Sequence, residues 1–347
     1  MTASSRGRIK AQRGLSLVEM MVGLVVGMLV VVAVLGLIVR MSMSRSEVDR
    51  TGRQIEHGRY GIHKLAEDLR HAGYFGEFSD LGVPNVAALA LDPCSTGAAD
   101  LKTLMAVPVR PYTAVATGLR PTCIPASDFV DGSNVLVLRF ASPRVTAPGS
   151  LDPNLLYVQT NVGGSIIARG NASPPLDTFT LTRQTALPGT PVPGPIQKYV
   201  VRIYFLSPCS QAGCTSTSDG GTPIPTLKMI ELDSSGGAPG FSAPVAIAEG
   251  VERLEFDYGI DTDADGAPNR FTDCETDCTT GDDVANIVTV TAYAVVRDGE
   301  ATAGFSDTKS YVLGQAGTYT PTGTAATFRR HLYSSTLRLN NISMRRE

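Results

Sequence analysis

The sequence predicts an α+β fold: one long N-terminal α-helix, apolar in its first half and amphipathic in its second, packed on a large antiparallel β-sheet head with long disulfide-tied loops. Three observations predict it. Leu15 to Val39 is a run of 25 residues with one ionisable side chain, Glu19. From Met41, apolar residues recur every seven places, at Met41, Val48, Ile55, Ile62 and Leu69. Beyond Gly73 the helical period gives way to short runs rich in β-branched and aromatic residues, in a chain with 35 Gly, 22 Pro and no Trp. Such runs, bounded by turn residues and not separated by helical pattern, pair antiparallel.

As a helix, Leu15–Val39 is about 37 Å long, enough to cross a bilayer with some tilt. Arg6, Arg8, Lys10 and Arg13 precede it with no acidic residue among them. That imbalance holds the first residues in the cytoplasm and sends the rest across. A cleaved secretory signal has a shorter apolar core followed by a small-residue cleavage site. Here the small residue, Gly14, comes before the core. Glu19 needs an explanation, because a carboxylate in hydrocarbon costs about 2.5–3.5 kcal/mol on insertion scales. It has either a cationic partner or a place near the membrane face where it snorkels. Gly23 and Gly27 have small-xxx-small spacing, which lets helices approach closely, although ordinary membrane helices also carry glycine.

Gly14 followed by apolar Leu15, with Glu19 four places beyond Leu15, resembles the leader of type IV prepilins. The resemblance implies a pilin-like fold and cleavage by the prepilin peptidase between Gly14 and Leu15, with methylation of the new N-terminus. The family usually has Phe at the first mature position; Leu15 departs from it and stays apolar. The resemblance also gives Glu19 a partner, the N-terminal amine of a neighbouring subunit, which sets axial register in the filament. Gly36 lies near where many major pilins carry a helix-breaking Pro.

The amphipathic stripe, joined by Leu65 and Ala72, predicts a helix continuing to His71, with one face packed. Gly52, Gly58 and Gly61 weaken it by about 1 kcal/mol each against Ala, and Gly73 is placed to end it. The segment Leu65–Gly76 closes on Ala-Gly-Tyr-Phe-Gly, and this helix end resembles the PilW-type minor pilins. The aromatic pair Tyr74 and Phe75 then plugs the core. The expected organisation is a leader at 1–14, a transmembrane half-helix at 15–39, an amphipathic half-helix at 40–72, and a periplasmic head at 73–347, with two sheets divided near 187–195.

Within the head, Leu81–Ser133 is rich in Pro, Ala and turn residues and is read as a loop tied by Cys94 and Cys123. Strands are expected at Asn134–Phe140, Leu155–Gln159, Ser165–Ala168, Phe179–Leu181, Lys198–Leu206, Leu227–Leu232, Val251–Tyr258, Asn286–Arg297 and Phe328–Leu339. Leu187–Pro195 carries four prolines and reads as a linker or long turn. All six cysteines lie beyond the membrane run, in a compartment where disulfides form. Six cysteines allow 15 pairings; the expectation is sequential, Cys94–Cys123, Cys209–Cys214 and Cys274–Cys278. The C-x4-C and C-x3-C spacings suit a zinc ribbon poorly.

Asp261, Asp263, Asp265, Gly266, Ala267 and Asn269 have the pattern of a calcium loop: alternate carboxylates, a glycine for the turn, and a backbone carbonyl at Ala267. The twelfth position is Thr272 where an EF-hand has a bidentate Glu, with Asp273 or Glu275 nearby. The competing reading is an Asx-rich turn bonding its own backbone. PilW-type sequences often carry such a loop directly after a Tyr-Gly, here Tyr258-Gly259. Calcium is the one cofactor the pattern supports. His57, His63, His71 and His331 are not paired at i, i+4, and no hydrolase or nucleotide-binding motif is present. A formal charge of −3, made more acidic by loss of the four leader cations, and no long basic run argue against nucleic acid as the main partner; Arg329, Arg330, Arg338, Arg345 and Arg346 are read as a solvated strand edge and tail.

The expected function is therefore non-enzymatic. The resemblance implies a minor pilin in the inner membrane, a single pass with its head in the periplasm, later in the pilus filament or at its tip. It implies priming of pilus assembly, twitching motility and adhesion. The implied partners are other minor pilins, the major pilin, the prepilin peptidase, the inner-membrane assembly platform and a tip adhesin. The alternatives are a minor pseudopilin of type II secretion and, in another class, an anchored periplasmic metal-dependent hydrolase. A calcium-dependent tip adhesin is compatible with the main reading.

Overall fold

A computed structural model describes residues 14, 16–78, 86–113, 120–170, 178–183, 189–278 and 280–344. Residues 1–13 of the expected leader, Leu15, Arg345 and Arg346 lie outside the described residues. The chain forms two compact units, Met1–Gly52 and Arg53–Glu347. Helix α1, Leu17–His71, supplies all the described structure of the first unit beyond its first residues. Its best window has a mean hydropathy of 3.1, long and apolar enough to cross a membrane. The side chains of this part are exposed throughout Leu17–Val39.

In the second unit, residues 53–71 of α1 lie on the head through Gln54, Gly58, Gly61, Leu65, Ala66, Asp68 and Leu69. This stripe corrects the heptad reading. Ile55 remains exposed, and the two glycines are contact points: a Cβ at Gly58 would lie 2.2 Å from the Tyr333 ring, and one at Gly61 would lie 2.8 Å from Ala248 Cβ. Their low helix propensity is offset by the close approach they allow. Gln54 Nε2 donates to Val296 O at 2.7 Å and Arg329 O at 3.1 Å. Asp68, 1% exposed, accepts from Arg202 Nη1 at 2.5 Å, from the Tyr204 hydroxyl and from Lys64 Nζ at 3.3 Å. Burial, then the Asp68 charge, pushes the Tyr204 phenol far up, so it stays a donor. Asn341 Nδ2 caps the helix end on Arg70 O and Ala72 O.

The larger sheet has eight strands. Its centre is β7, Ile196–Ser207, flanked on one side by β2, Asn134–Val145. On the other side β3, Leu156–Asn161, pairs with residues 196–198, and β8, Thr226–Ser235, pairs with residues 202–207. Strands β1, Val109–Thr113, and β4, Gly164–Arg169, extend it beside β2 and β3. Two-residue strands β5, Thr182–Arg183, and β6, Val192–Pro193, pair separately. Strands β9, Ala238–Phe241, and β10, Val245–Glu249, pair with β8. The smaller sheet runs β12–β11–β13–β16, where β11 is Val251–Ile260, β12 Arg270–Thr272, β13 Ile287–Arg297 and β16 Arg330–Arg338. A short hairpin, β14 Tyr311–Val312 and β15 Thr318–Tyr319, lies between β13 and β16.

Alternation along β2 and β7 feeds two cores. Leu136, Leu138, Tyr204 and Leu206 join Leu65, Leu69 and Ala72 of α1 and the inner face of the smaller sheet. Val135, Val137, Tyr199, Val201, Ile203 and Phe205 join Phe75 and Leu101 on the opposite face. The plug expected of the helix end is Phe75, fully buried; Tyr74 remains half-buried.

Three further expectations are corrected. Leu81–Ser133 is not a plain loop: it holds helices α2, Val86–Ala90, and α3, Ala98–Leu104, and strand β1. Phe179–Leu181 is not a strand; Phe179 is buried in a small cluster with Tyr157 and Ile196, and pairing begins only at Thr182. The segment near 187–195 does not divide the sheets, because β7 after it pairs with β2 and β3 before it; residues 184–188 lie outside the described residues. The sheets part at Gly250, between β10 and β11. The disulfides are Cys94–Cys123, Cys209–Cys214 and Cys274–Cys278, the sequential set.

Candidate functional site

Three places in the chain hold the candidate residues or unexpected buried charges. The first is the start of α1. Gly14 precedes the helix and Glu19 stands in its first turn, where the positive end of the helix dipole favours a carboxylate. Both residues are exposed, as are the apolar side chains after them. An uninterrupted apolar surface of this length requires lipid or other helices to cover it. Leu15, the expected first mature residue, lies outside the described residues.

The second is the loop between β11 and β12. Asp261, Asp263 and Asp265 converge, with one carboxylate oxygen from each within 4.8 Å of the others. Asp261 is buried. Its Oδ1 accepts from the backbone of Ala264 at 2.7 Å and Asp263 at 3.2 Å, and its Oδ2 accepts from Gly266 at 3.0 Å. Asp263 and Asp265 are exposed, and Asp265 Oδ1 accepts from Ala267 N at 2.8 Å. Asn269 donates from Nδ2 to Asp263 Oδ2 at 3.2 Å, and its Oδ1 accepts from Thr262 N at 2.8 Å. Thr272, the twelfth position, is buried in β12 and donates to Asp277 at 3.2 Å, away from the aspartates. Arg338 of β16 braces the loop by donating to Gly266 O at 3.2 Å. A dication would offset the mutual repulsion of the three carboxylates.

The third is a pair of buried ionic anchors that the sequence did not reveal. Lys228 of β8 meets Asp128 Oδ1 at 2.7 Å, both side chains being almost fully buried. Asp128 also accepts from Gly213 N, within the Cys209–Cys214 loop, at 3.0 Å. Those two cysteines lie beside Asp128 but are bonded to each other, so they offer no thiolate to a metal. Arg330 of β16 is buried against Glu252 and Asp307, which corrects its reading as a solvated edge residue. Arg329 faces the Phe305 ring at 4.5 Å. Both arginines are engaged internally and form no open basic surface.

The histidines show no metal geometry among the described residues: His71 lies 5.7 Å from the Phe140 ring and His331 4.8 Å from Tyr333. The signal for the helix contact was present in the sequence as Gly58 and Gly61, three apart on one face and in register with Gln54 and Leu65. Counting only apolar residues concealed it.

Comparison with family models gives two matches. Residues 204–341 match the family described as Type IV Pilus-assembly protein W, covering the end of β7, from Tyr204, and β8 to β16. Residues 9–37 match the prokaryotic N-terminal methylation motif, covering Gly14, Leu15 and Glu19. Comparison with curated proteins and with solved structures finds no significant match.

Proposed function

The two matched models support a type IV pilin-like minor pilin, and from that premise we propose that the chain helps prime pilus assembly from the inner membrane. The observation that carries the reading is the joining in one chain of a methylation motif, an exposed apolar helix and a head whose second half matches a pilus-assembly family. The apolar helix packs laterally against other pilins, Glu19 neutralises a neighbour's N-terminal amine, and the periplasmic head binds adjacent subunits. Twitching motility and attachment then depend on the chain through the pilus, with a place at the tip.

The test begins with intact mass of the membrane-extracted protein from its native host. The expected chain starts at methylated Leu15 and is six hydrogens light, for three disulfides. Gly14→Phe should leave the leader attached. Glu19→Ala should be cleaved normally yet lower surface piliation by about tenfold or more. Normal piliation with Glu19→Ala would remove the register role, and a native chain retaining residues 1–14 would remove the prepilin reading.

A second proposal concerns the acidic loop. The convergence of Asp261, Asp263 and Asp265 supports calcium as its ligand, with Asp263 and Asp265 supplying the accessible oxygens. Calcium at a hundred times its dissociation constant should add about 2.7 kcal/mol of stability. Thermal unfolding of the full chain in micelles, with calcium against a chelator, reads this directly. The shift should vanish in Asp263→Asn/Asp265→Asn; equal unfolding temperatures in the unaltered chain would leave the loop as a self-bonded turn.

A further inference from the structure

A pocket opens on the second unit where residues 74–77, 143–148, 183 and 193–197 meet. Its volume is about 650 Å³, inside the roughly 300–1,000 Å³ of small-molecule sites. Pro143, Pro148, Pro193 and Pro195, with Tyr74, form much of its wall. Proline has no N–H, so these four positions offer ring C–H surface and no backbone donor. Gln197 lies beneath and is 2% exposed. Its Nε2 donates to Ser142 O at 2.7 Å, which fixes the orientation of the amide. Its Oε1 is then left buried with no hydrogen-bond partner.

Gly76 keeps open the space beside that oxygen. A Cβ there would lie 3.2 Å from Gln197 Oε1 and 2.8 Å from Thr160 Oγ1, a buried hydroxyl that also lacks a partner. Beside this space Arg183 Nη1 meets Glu77 Oε1 at 2.9 Å, so this pair adds one charge of each sign and no net charge. The pocket therefore combines apolar ring surface, an unfilled acceptor and a neutral ion pair.

We propose that this pocket binds a neutral saccharide unit. The apolar face of the sugar ring lies on Tyr74 and the proline rings. One hydroxyl donates to Gln197 Oε1. Others donate to Glu77 and accept from Arg183. An anionic ligand would bring like-signed oxygens against Gln197 Oε1 and Glu77, and a metal ion would meet mostly apolar wall. A strand-adding peptide needs exposed backbone donors as well as acceptors, and the prolines withhold the donors. The proposal stands apart from the assembly role, and each can be overturned while the other holds.

The test uses the full-length chain in lipid nanodiscs, free of sugar-headed detergent. Saturation-transfer NMR is recorded with glucose, galactose, N-acetylglucosamine and maltose at millimolar concentration, beside inorganic phosphate and a proline-rich peptide. Transfer to at least one sugar is expected. Val145→Trp, made at a lining residue that is 58% exposed, should weaken that binding by about tenfold or more without disturbing the core. Gln197→Met should weaken it similarly by removing the acceptor. The proposal is overturned by no transfer to any sugar, by sugar binding unchanged in Val145→Trp, or by transfer confined to the peptide or to phosphate.

Discussion

Arg330→Ala should destabilise the detergent-solubilised chain by about 3–5 kcal/mol, the cost of leaving buried charge uncompensated. The Arg330 side chain is fully buried. It binds Glu252 through two bonds, Nε to Oε2 at 2.7 Å and Nη2 to Oε1 at 3.2 Å. Nη1 reaches Asp307 Oδ2 at 3.4 Å and Phe328 O at 2.9 Å, and Nη2 reaches Ala325 O at 2.7 Å. Tyr319 and Tyr311 donate to the same two carboxylates at 2.8 and 2.9 Å. One guanidinium thus ties β11 to the whole excursion between β13 and β16. Alanine would remove every one of these donors and leave Asp307, 3% exposed, without its cation. Lysine keeps the charge but not the planar fork, so Arg330→Lys should recover only part of the loss. Circular dichroism on heating reads the effect as a fall of about 10 °C or more. Arg253→Ala is the control: Arg253 is exposed and merely faces the Tyr319 ring at 4.9 Å. If the two variants lose the same small amount, the buried fork does not hold the excursion in place.

The same contrast explains what the sequence disclosed and what it hid. Strands β2 and β7 were legible because cores cover both of their faces, which makes their sequences nearly continuous apolar runs. Strand β1 was not, since it pairs only with β2 and contains Pro111, a residue that reads against a strand unless the strand is an edge. Spacing alone brought Asp261, Asp263 and Asp265 together, because a loop of consecutive residues needs no tertiary fold to converge. The Arg330 fork joins residues 252, 307 and 330, and the proline-walled pocket joins four separate segments. Neither leaves a local signature. The glycines of α1 misled for a related reason: propensity measures the isolated helix, whereas Gly58 and Gly61 serve a contact made with Tyr333 and Ala248.

The parting of the sheets gives the second large effect. Gly250→Ala should cost about 3 kcal/mol or more, from two separable causes. Gly250 has φ +82°, a left-handed conformation that costs an L-residue about 1–2 kcal/mol. Its backbone also passes so close to β13 that a Cβ would lie 2.4 Å from Arg297 O. That oxygen belongs to backbone and cannot swing aside, and Gly250 O accepts from Arg297 N at 2.8 Å, so the two segments are held together at this point. Relief requires moving β13 away from β11 and opening the core they share, an overpacking cost of about 1–3 kcal/mol. The sequence marked a division at the proline cluster of 187–195, where composition changes most. The chain changes sheets at a single glycine, because a turn this tight needs one permissive residue and no linker. Gly236→Ala separates the two causes: its φ is +61° and nothing lies within 4 Å of the added Cβ. It should lose only the conformational part, about 1–2 kcal/mol. Urea unfolding of both variants measures the difference. A Gly250→Ala loss no larger than that of Gly236→Ala would mean that β11 and β13 part freely there, and that the close passage does not fix how the head changes sheets.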